Sequence, residues 1–281
     1  MERKINFEEW VSTSSKTAEV EVWINDNLIN ALNNKSVEEL ISNYTYVTPK
    51  QIQSVLEIHP AVRGVLCGNG IDIGGGIGCV SSALSHFPDI ESIICLDISF
   101  MAVTIGQRRV LDWDPNSMPK KVTSVVGNFD HLKLLDSSLD FAIAWDSLHH
   151  SDSLEQTLFE LHRVLKAEGH VVIIDRAHSN ETTTEQLEKL MDIEYSREFK
   201  IANFIDPDRI VTRRDNGEHE YRLNDWEYKA ISCGFKVNTC ICIGPNKSKL
   251  NDMDNLFTPF SLGGFDEARV LMVLSKVESV R

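Results

Sequence analysis

Two groups of residues in this 281-residue chain have types and spacing that could do chemistry. The first is Asp72-Ile73-Gly74-Gly75-Gly76-Ile77-Gly78, set between an apolar run ending at Ile73 and a helical segment carrying Val80, Ala83, Leu84 and Phe87. Glycine admits positive φ and lets a ligand approach the backbone, while a helix start offers unpaired N–H groups, so this junction predicts a nucleotide-like ligand. The second group is made of imidazoles and carboxylates. His149-His150 follows another apolar run, and proton transfer near neutral pH is the chemistry of imidazole. Asp175-Arg176-Ala177-His178 and Gly217-Glu218-His219-Glu220-Tyr221-Arg222 supply polar groups for an acceptor. His178, Glu218, His219 and Glu220 are also ligand types for a divalent metal. Three consecutive residues cannot all point inward in an extended segment, so an acceptor clamp or a charged, solvated hairpin is preferred and no metal ligand is assigned. Arg213, Arg214 and Asp215 are expected to pair with one another at the surface.

Short apolar runs alternate with helical segments around these residues. The runs are Gly70 to Ile73, Ser92 to Ile98, Val122 to Val126, Leu139 to Trp145, His170 to Asp175, Phe235 to Ile243 and Ala268 to Lys276. Val- and Ile-rich runs without polar alternation suit strands buried on both faces, hence a parallel sheet covered by helices. Ser153 and Gln156 form a capping box, Leu154, Leu158, Leu161 and Leu165 repeat on one face, and Gly169 can end that helix. Residues 6–60 show helical spacing through Val20, Trp23, Ile24, Leu28 and Ala31, and Thr48-Pro49 opens a further helix. The alternation breaks after Asp175, through a polar helix of about Thr184 to Phe199 and a charged stretch, Asp206 to Arg222. It resumes with a helix near Asn224 to Cys233, and a loop with Gly244-Pro245 and Gly263-Gly264 precedes the last strand.

The glycine loop discriminates among nucleotide binders. Starting G-x-G-x-x-G at Gly74 or Gly76 puts Cys79 or Ser81 at the sixth position, so the dinucleotide fingerprint fails. The looser pattern at Gly70, Gly74 and Gly76 lacks a downstream Tyr-x-x-x-Lys, and the Gly-Lys-Ser/Thr of a P-loop is absent. D-x-G-x-G-x-G does fit, and through it the sequence resembles the class I S-adenosylmethionine-dependent methyltransferases. The resemblance continues in Cys95-Leu96-Asp97-Ile98, Gly127-Asn128-Phe129-Asp130, Leu132 to Asp140, Trp145-Asp146-Ser147-Leu148-His149-His150 and Glu160 to Gly169. It covers most of residues 65 to 175 and, more weakly, the last two strands.

The resemblance implies an α/β fold: a Rossmann-like three-layer α/β/α sandwich around a mostly parallel seven-stranded sheet whose last strand is antiparallel. It implies S-adenosylmethionine as cofactor, held by Asp72, Gly74, Gly75, Gly76, Gly78, Asp97, Ile98, Asn128, Phe129, Asp130 and Trp145. Asp72 would face the ligand's positive charge, Asp97 the ribose hydroxyls, and Asn128 the adenine, standing where the family usually has Asp, with Asp130 as a fallback. A sulfonium methyl is already electrophilic, so alignment and water exclusion do most of the work. A hydroxyl acceptor also needs a base, His149 or His150. Specificity would lie in an N-terminal helical segment, 1–62, and in an insertion at about 176–223 of the 63–281 core, with Arg176, His178, Glu218, His219 and Tyr221 binding the acceptor. Structural alternatives stand beside these roles: the glycines could serve a tight turn, Trp145 the core, and the paired histidines a helix start.

Acidic residues outnumber basic ones 42 to 28, for a formal charge of −14, which disfavours nucleic acid and anionic membranes as partners. The expected product is therefore a methylated small molecule. A tRNA or protein methyltransferase is disfavoured by that charge and by the lack of an Asn-Pro-Pro-Tyr motif, and a cofactor-binding regulatory subunit is the alternative from another class. The six cysteines form no C-x-x-C pair and read as reduced and buried. With no apolar leader or spanning run, the expected location is cytoplasmic. The apolar stripe of the N-terminal helices suits either a lid or a homodimer contact.

Overall fold

The computed structural model describes residues 7–10, 26–58, 60–243 and 267–277. Val20, Trp23 and Ile24 of the first helical stripe, and the Gly244-Pro245 and Gly263-Gly264 loop, lie outside the described residues. The strands are β1 (Phe7–Glu9), β2 (Gly68–Ile73), β3 (Ile90–Asp97), β4 (Val122–Val126), β5 (Leu139–Trp145), β6 (Leu165–His178), β7 (Phe235–Ile243) and β8 (Glu267–Lys276). They form one sheet in the order β1-β4-β3-β2-β5-β6-β8-β7. The last strand runs antiparallel to both neighbours, and the other pairings are parallel. The sheet thus has eight strands, one more than expected. The addition is β1, which pairs Phe7 with Ser124 and Glu9 with Val126 inside a stretch whose spacing reads as helical. Three residues carry no usable period. The strand exists because the edge of β4 offers a ladder and Trp10 follows, its N–H donating to Val126 O at 2.8 Å and its ring buried.

Alternate residues of each strand feed opposite layers. Phe141, Ile143 and Trp145 face the core shared with the N-terminal helices and the helix Cys79–Ser85. Ala142 and Ala144 face the helices Leu154–Val164 and Leu223–Ser232. Both faces are therefore covered, as runs without polar alternation require. The N-terminal helices Asp26–Asn34, Val37–Leu40 and Pro49–Ile58 belong to the first layer, where Leu28, Leu32, Leu40, Ile52 and Leu56 are buried. Among the described residues, the apolar stripe of these helices packs within the chain. Arg109 ties the first of these helices down by donating to Leu32 O at 2.6 Å and to Lys35 O.

Three local expectations change. Gly169 lies inside β6 instead of ending a helix; the helix stops at Val164, and a Cβ on Gly169 would sit 2.9 Å from Leu165 Cβ. Ser153 caps its helix by accepting from Gln156 N, but Gln156 turns its amide to Asp130 O, so the box is one-sided. The polar helix splits into Thr184–Met191 and Arg197–Ala202, because Thr183 and Ser196 each cap a separate start. These helices and the following loop close over a small core of Tyr195, Ile205 and Val211. Among the cysteines, Cys79, Cys95 and Cys233 are buried, whereas Cys67 is exposed.

Candidate active site

The strand order reverses at β2, which lies between β3 and β5, so a crevice opens beyond the carboxyl ends of these strands. The glycine loop begins there. Gly74 has φ +66°, and a Cβ would fall 2.5 Å from that of Ser147, whose hydroxyl donates to Ile73 O at 2.7 Å. A Cβ on Gly75 would meet Cys95 Sγ at 2.6 Å and Asp72 Oδ2 at 3.0 Å. The loop thus lies directly on its own floor, and no larger residue fits either place.

Asp72 is part of that floor. It is buried and accepts from Ser81 Oγ at 2.7 Å, and burial pushes its carboxyl up to about 7 against the pull of that hydroxyl. Its side chain is buried beneath the loop, which it braces through Ser81. Asp97 closes β3 and orders the crevice, Oδ2 accepting from Gly76 N at 2.7 Å and Oδ1 from Ser99 N at 2.8 Å. Ile98, half-buried, follows it.

Beyond β4, Asn128 is half-buried and accepts from Asp130 N at 2.8 Å through its amide oxygen. Phe129 is buried beside Gly74. Asp130 turns away from the role of adenine fallback: its carboxylate accepts from Ser151 Oγ at 3.2 Å and from Thr157 Oγ1, holding the start of the next helix. Trp145, 9% exposed, ends β5 and packs in the first layer.

The next residues turn sharply. Asp146 has φ +53°, sparsely populated by non-glycine residues, and its carboxylate is forked with the Arg269 guanidinium of β8. His149, 3% exposed, places Nδ1 2.7 Å from Asp175 Oδ1. Asp175 Oδ2 receives the N–H groups of Ser147, Leu148 and His149 at 3.2, 2.9 and 3.3 Å, and Oδ1 that of Arg176 at 2.7 Å. With donors on every side, Asp175 is the acceptor and His149 Nδ1 carries the proton, which leaves the Nε2 lone pair for chemistry. Burial, reinforced by Arg176 and His150, holds the His149 pKa well below the usual imidazole value. The ring of His150 lies 4.2 Å from that of His149, centroid to centroid, and its buried Nδ1 has no hydrogen-bond partner among the described residues.

The insertion meets β6 through buried charge. Arg176 Nη1 donates to Glu218 Oε2 at 3.1 Å, His178 Nε2 lies 2.6 Å from Glu220 Oε2, and Arg213 pairs with both Glu218 and Glu220. Arg213 is 1% exposed, which overturns its reading as a surface partner of Arg214 and Asp215. Arg214 instead pairs with Glu188 and Asp192. Burial opposes ionisation of Glu218, but Arg176 and Arg213 overcome it and hold the carboxyl well below its usual range. His149, His150 and Glu218 bring ligand-type atoms within 4.8 Å of one another. Glu218 nevertheless accepts already from Tyr195, Asn216 and Arg176 and forms an ion pair with Arg213, so its carboxylate is engaged. Glu220 is likewise engaged, so the four residues that carried the metal reading are not a free donor set. His219 N donates to His149 O at 2.7 Å, while Tyr221 packs on Trp226 in the opposite layer.

The sequence assigned no role to Asp146 or Tyr195, offered Asp175 and Glu220 only among acceptor-binding or ligand-type groups, and placed Arg213 at the surface. Asp175 was findable, since neighbouring parallel strands end side by side and an Asp closing one falls beside a His following the other. Arg213 carried no such signal, because its partners lie in an irregular segment.

A family model described as a methyltransferase domain matches residues 71–173. The ubiquinone/menaquinone biosynthesis C-methyltransferase UbiE of Blochmanniella pennsylvanica is 28% identical over 106 residues, which is 37% of this chain and 41% of that protein, so less than half of the relative is matched. Among solved structures, a protein described as a sarcosine dimethylglycine methyltransferase from Galdieria sulphuraria superimposes with a TM-score of 0.55 at 17% identity, over 81% of this chain and 86% of the other. The YcgJ protein of Bacillus subtilis gives 0.53 at 15%, over 80% and 99%. At such identities the structures speak for the fold alone. The domain match runs from β2 through most of β6, over the strands that carry the loop, the two carboxylates and the histidines, and over these residues the chain is similar to methyltransferase domains.

Proposed function

We propose that the chain moves the methyl of S-adenosylmethionine to a hydroxyl oxygen of a small molecule, with His149 as proton acceptor and Asp175 as its positioning residue. The observation that carries this reading is the His149–Asp175 pair at the carboxyl ends of β5 and β6, tied through Ser147 to the end of β2 where the glycine loop begins. The loop from Gly74 to Gly78, Asp97, Ile98, the Asn128 amide, Phe129 and Trp145 would hold the cofactor, which supplies an activated methyl electrophile when bound. The residues present fit it: the crevice floor is bare backbone, and its carboxylate suits a diol. His149 Nε2 takes the acceptor's proton, and Asp175 stabilises the imidazolium. His150 and His219 meet the acceptor, whereas Arg176, His178 and Glu218 hold the insertion against β6.

The similarity to a C-methyltransferase supports a second reading, transfer to carbon. Loss of a phenolic or enolic proton makes both the oxygen and a neighbouring carbon nucleophilic, so one base serves either outcome. Incubation with carbon-13 methyl-labelled S-adenosylmethionine and a metabolite extract, read by NMR, separates O-methyl from C-methyl products. Normal cofactor binding with no transfer to any acceptor would overturn the enzyme reading in favour of a regulatory subunit.

A further inference from the structure

The glycine loop rests on a helical turn that follows β3. Residues Ala102–Gln107 of this turn are π-helical, a form found mostly as single turns and frequently at functional sites. Its last two residues pack on the loop. A Cβ on Gly78 would fall 3.3 Å from Gln107 Cα, and one on Gly106 would fall 2.6 Å from Ile77 Cγ2. The turn continues into the helix Arg108–Trp113, which Arg109 fastens to the N-terminal helices through Leu32 O and Lys35 O.

Gln107 is fully buried, and its Nε2 donates to Gly76 O at 3.1 Å. A carbonyl only accepts, so the NH2 must face Gly76 and the amide cannot be turned over. That leaves Gln107 Oε1 buried with no hydrogen-bond partner among the described residues. For packing alone, methionine would fill this space better, because a buried acceptor left unpaired is unfavourable and an apolar group of similar shape is not. What the glutamine supplies instead is a hold on one carbonyl. Gly76 has φ +51°, and its N–H donates to Asp97 Oδ2 at 2.7 Å. The residue is thus held at both ends, by the carboxylate that closes β3 and by the Gln107 amide, where a glycine would otherwise let its peptide flip. In a trans peptide C=O and N–H point opposite ways, so a Gly76 carbonyl drawn to the buried Gln107 sends the Ile77 N–H away from it.

We propose that Gln107 is a positioning residue of the cofactor site: by holding Gly76 O it keeps the Ile77 N–H turned to the crevice as a donor to S-adenosylmethionine; the proposal rests on the methyltransferase reading. The test compares the full wild-type chain with Gln107→Met and Gln107→Glu, by calorimetric titration with S-adenosylhomocysteine and by urea denaturation. Q107M should bind S-adenosylhomocysteine about three- to tenfold more weakly, the range of one net hydrogen bond. It should nevertheless unfold at an equal or higher urea concentration, because the unpaired acceptor is gone. The Ile77 amide resonance should move when S-adenosylhomocysteine is added to the wild type and move less in Q107M. Q107E can donate to Gly76 O only when protonated, so its affinity should recover relative to Q107M as the pH is lowered. Wild-type affinity in Q107M, a parallel loss of affinity and urea stability, an Ile77 resonance indifferent to the ligand, or no recovery in Q107E would overturn the role of Gln107 and leave the methyltransferase reading standing. A wild-type chain that does not bind S-adenosylhomocysteine would overturn both.

Discussion

Replacing Asp175 with Asn separates its positioning role from packing. The amide is isosteric, but it offers one acceptor oxygen where the carboxylate serves five N–H groups on two oxygens. If the amide oxygen faced His149, its NH2 would confront the three backbone N–H groups of 147–149, each unsatisfied donor costing about 1–3 kcal/mol. The cheaper arrangement keeps those three bonds and points the NH2 at His149 Nδ1 and Arg176 N. That costs one backbone bond, about 1–3 kcal/mol of stability, and forces the imidazole proton onto Nε2, where the acceptor's proton should go. Turnover at saturating cofactor should then fall about 10²–10⁴-fold, the usual worth of a positioned base, while S-adenosylhomocysteine binding stays near wild type by calorimetry. Long-range nitrogen–proton NMR reads the tautomer directly. In the wild type, the lowered His149 pKa keeps the base neutral through pH 7, so the rate should stay flat on acidification past the ordinary imidazole value and decline only below it. A D175N variant that keeps both its rate and the proton on Nδ1 would refute the assignment.

Asp97→Ala removes the acceptor of Gly76 N and Ser99 N together with the proposed ribose contact; at about 1.5–3 kcal/mol for a charged hydrogen bond, S-adenosylhomocysteine affinity should drop at least about tenfold by calorimetry, and unchanged affinity counts against the site. Gly75→Ala should abolish cofactor binding through its clash with Cys95 Sγ, and adding Cys95→Ala should restore part of it; equal loss in both variants places the clash elsewhere. Arg213→Ala strands Glu218 and Glu220 in a buried site and should cost about 3–5 kcal/mol in urea denaturation, so an unshifted midpoint would show the network to be solvated. Asp72 has its folded pKa raised to about 7, so the unfolded carboxyl ionises first, and wild-type stability is lost as pH rises from the unfolded value towards about 7. Asp72→Asn lacks that penalty, and its stability relative to wild type should climb by up to about 1.4 kcal/mol per pH unit over that window and then level off; a difference independent of pH would mean that Asp72 is ionised throughout.

What was legible in the sequence is what local pattern dictates. The limits of β4, β5 and β7 fall where the sequence's apolar runs begin and end. The glycine loop was legible because three positive-φ positions in five residues leave little choice of residue type. The direction of Asp72 was not, since a period of two tells which face of the sheet a residue takes but not whether a loop folds over it. The insertion was misjudged for a related reason. Charged residues usually mark solvent, and Arg213, Glu218 and Glu220 are buried only because each finds an opposite charge that is distant in sequence or in an irregular segment.

The buried charges also decide which base the site can support. When His149 takes a proton it becomes a cation 2.7 Å from Asp175, which favours transfer, and close to Arg176, which opposes it. Glu218 settles the balance by holding Arg176 at 3.1 Å, so that guanidinium is largely neutralised before the imidazole charges. In the proposed reaction, the insertion that carries Glu218 would therefore do more than cover the acceptor. Its carboxylate sets how basic His149 can be, and an insertion that failed to seat on β6 would leave a weaker base in an open, wetter site. Glu218→Gln should accordingly push the acid limb of the rate profile to lower pH and slow turnover near neutrality, with S-adenosylhomocysteine affinity retained. An acid limb that stays in place would show that the insertion acts on the acceptor alone.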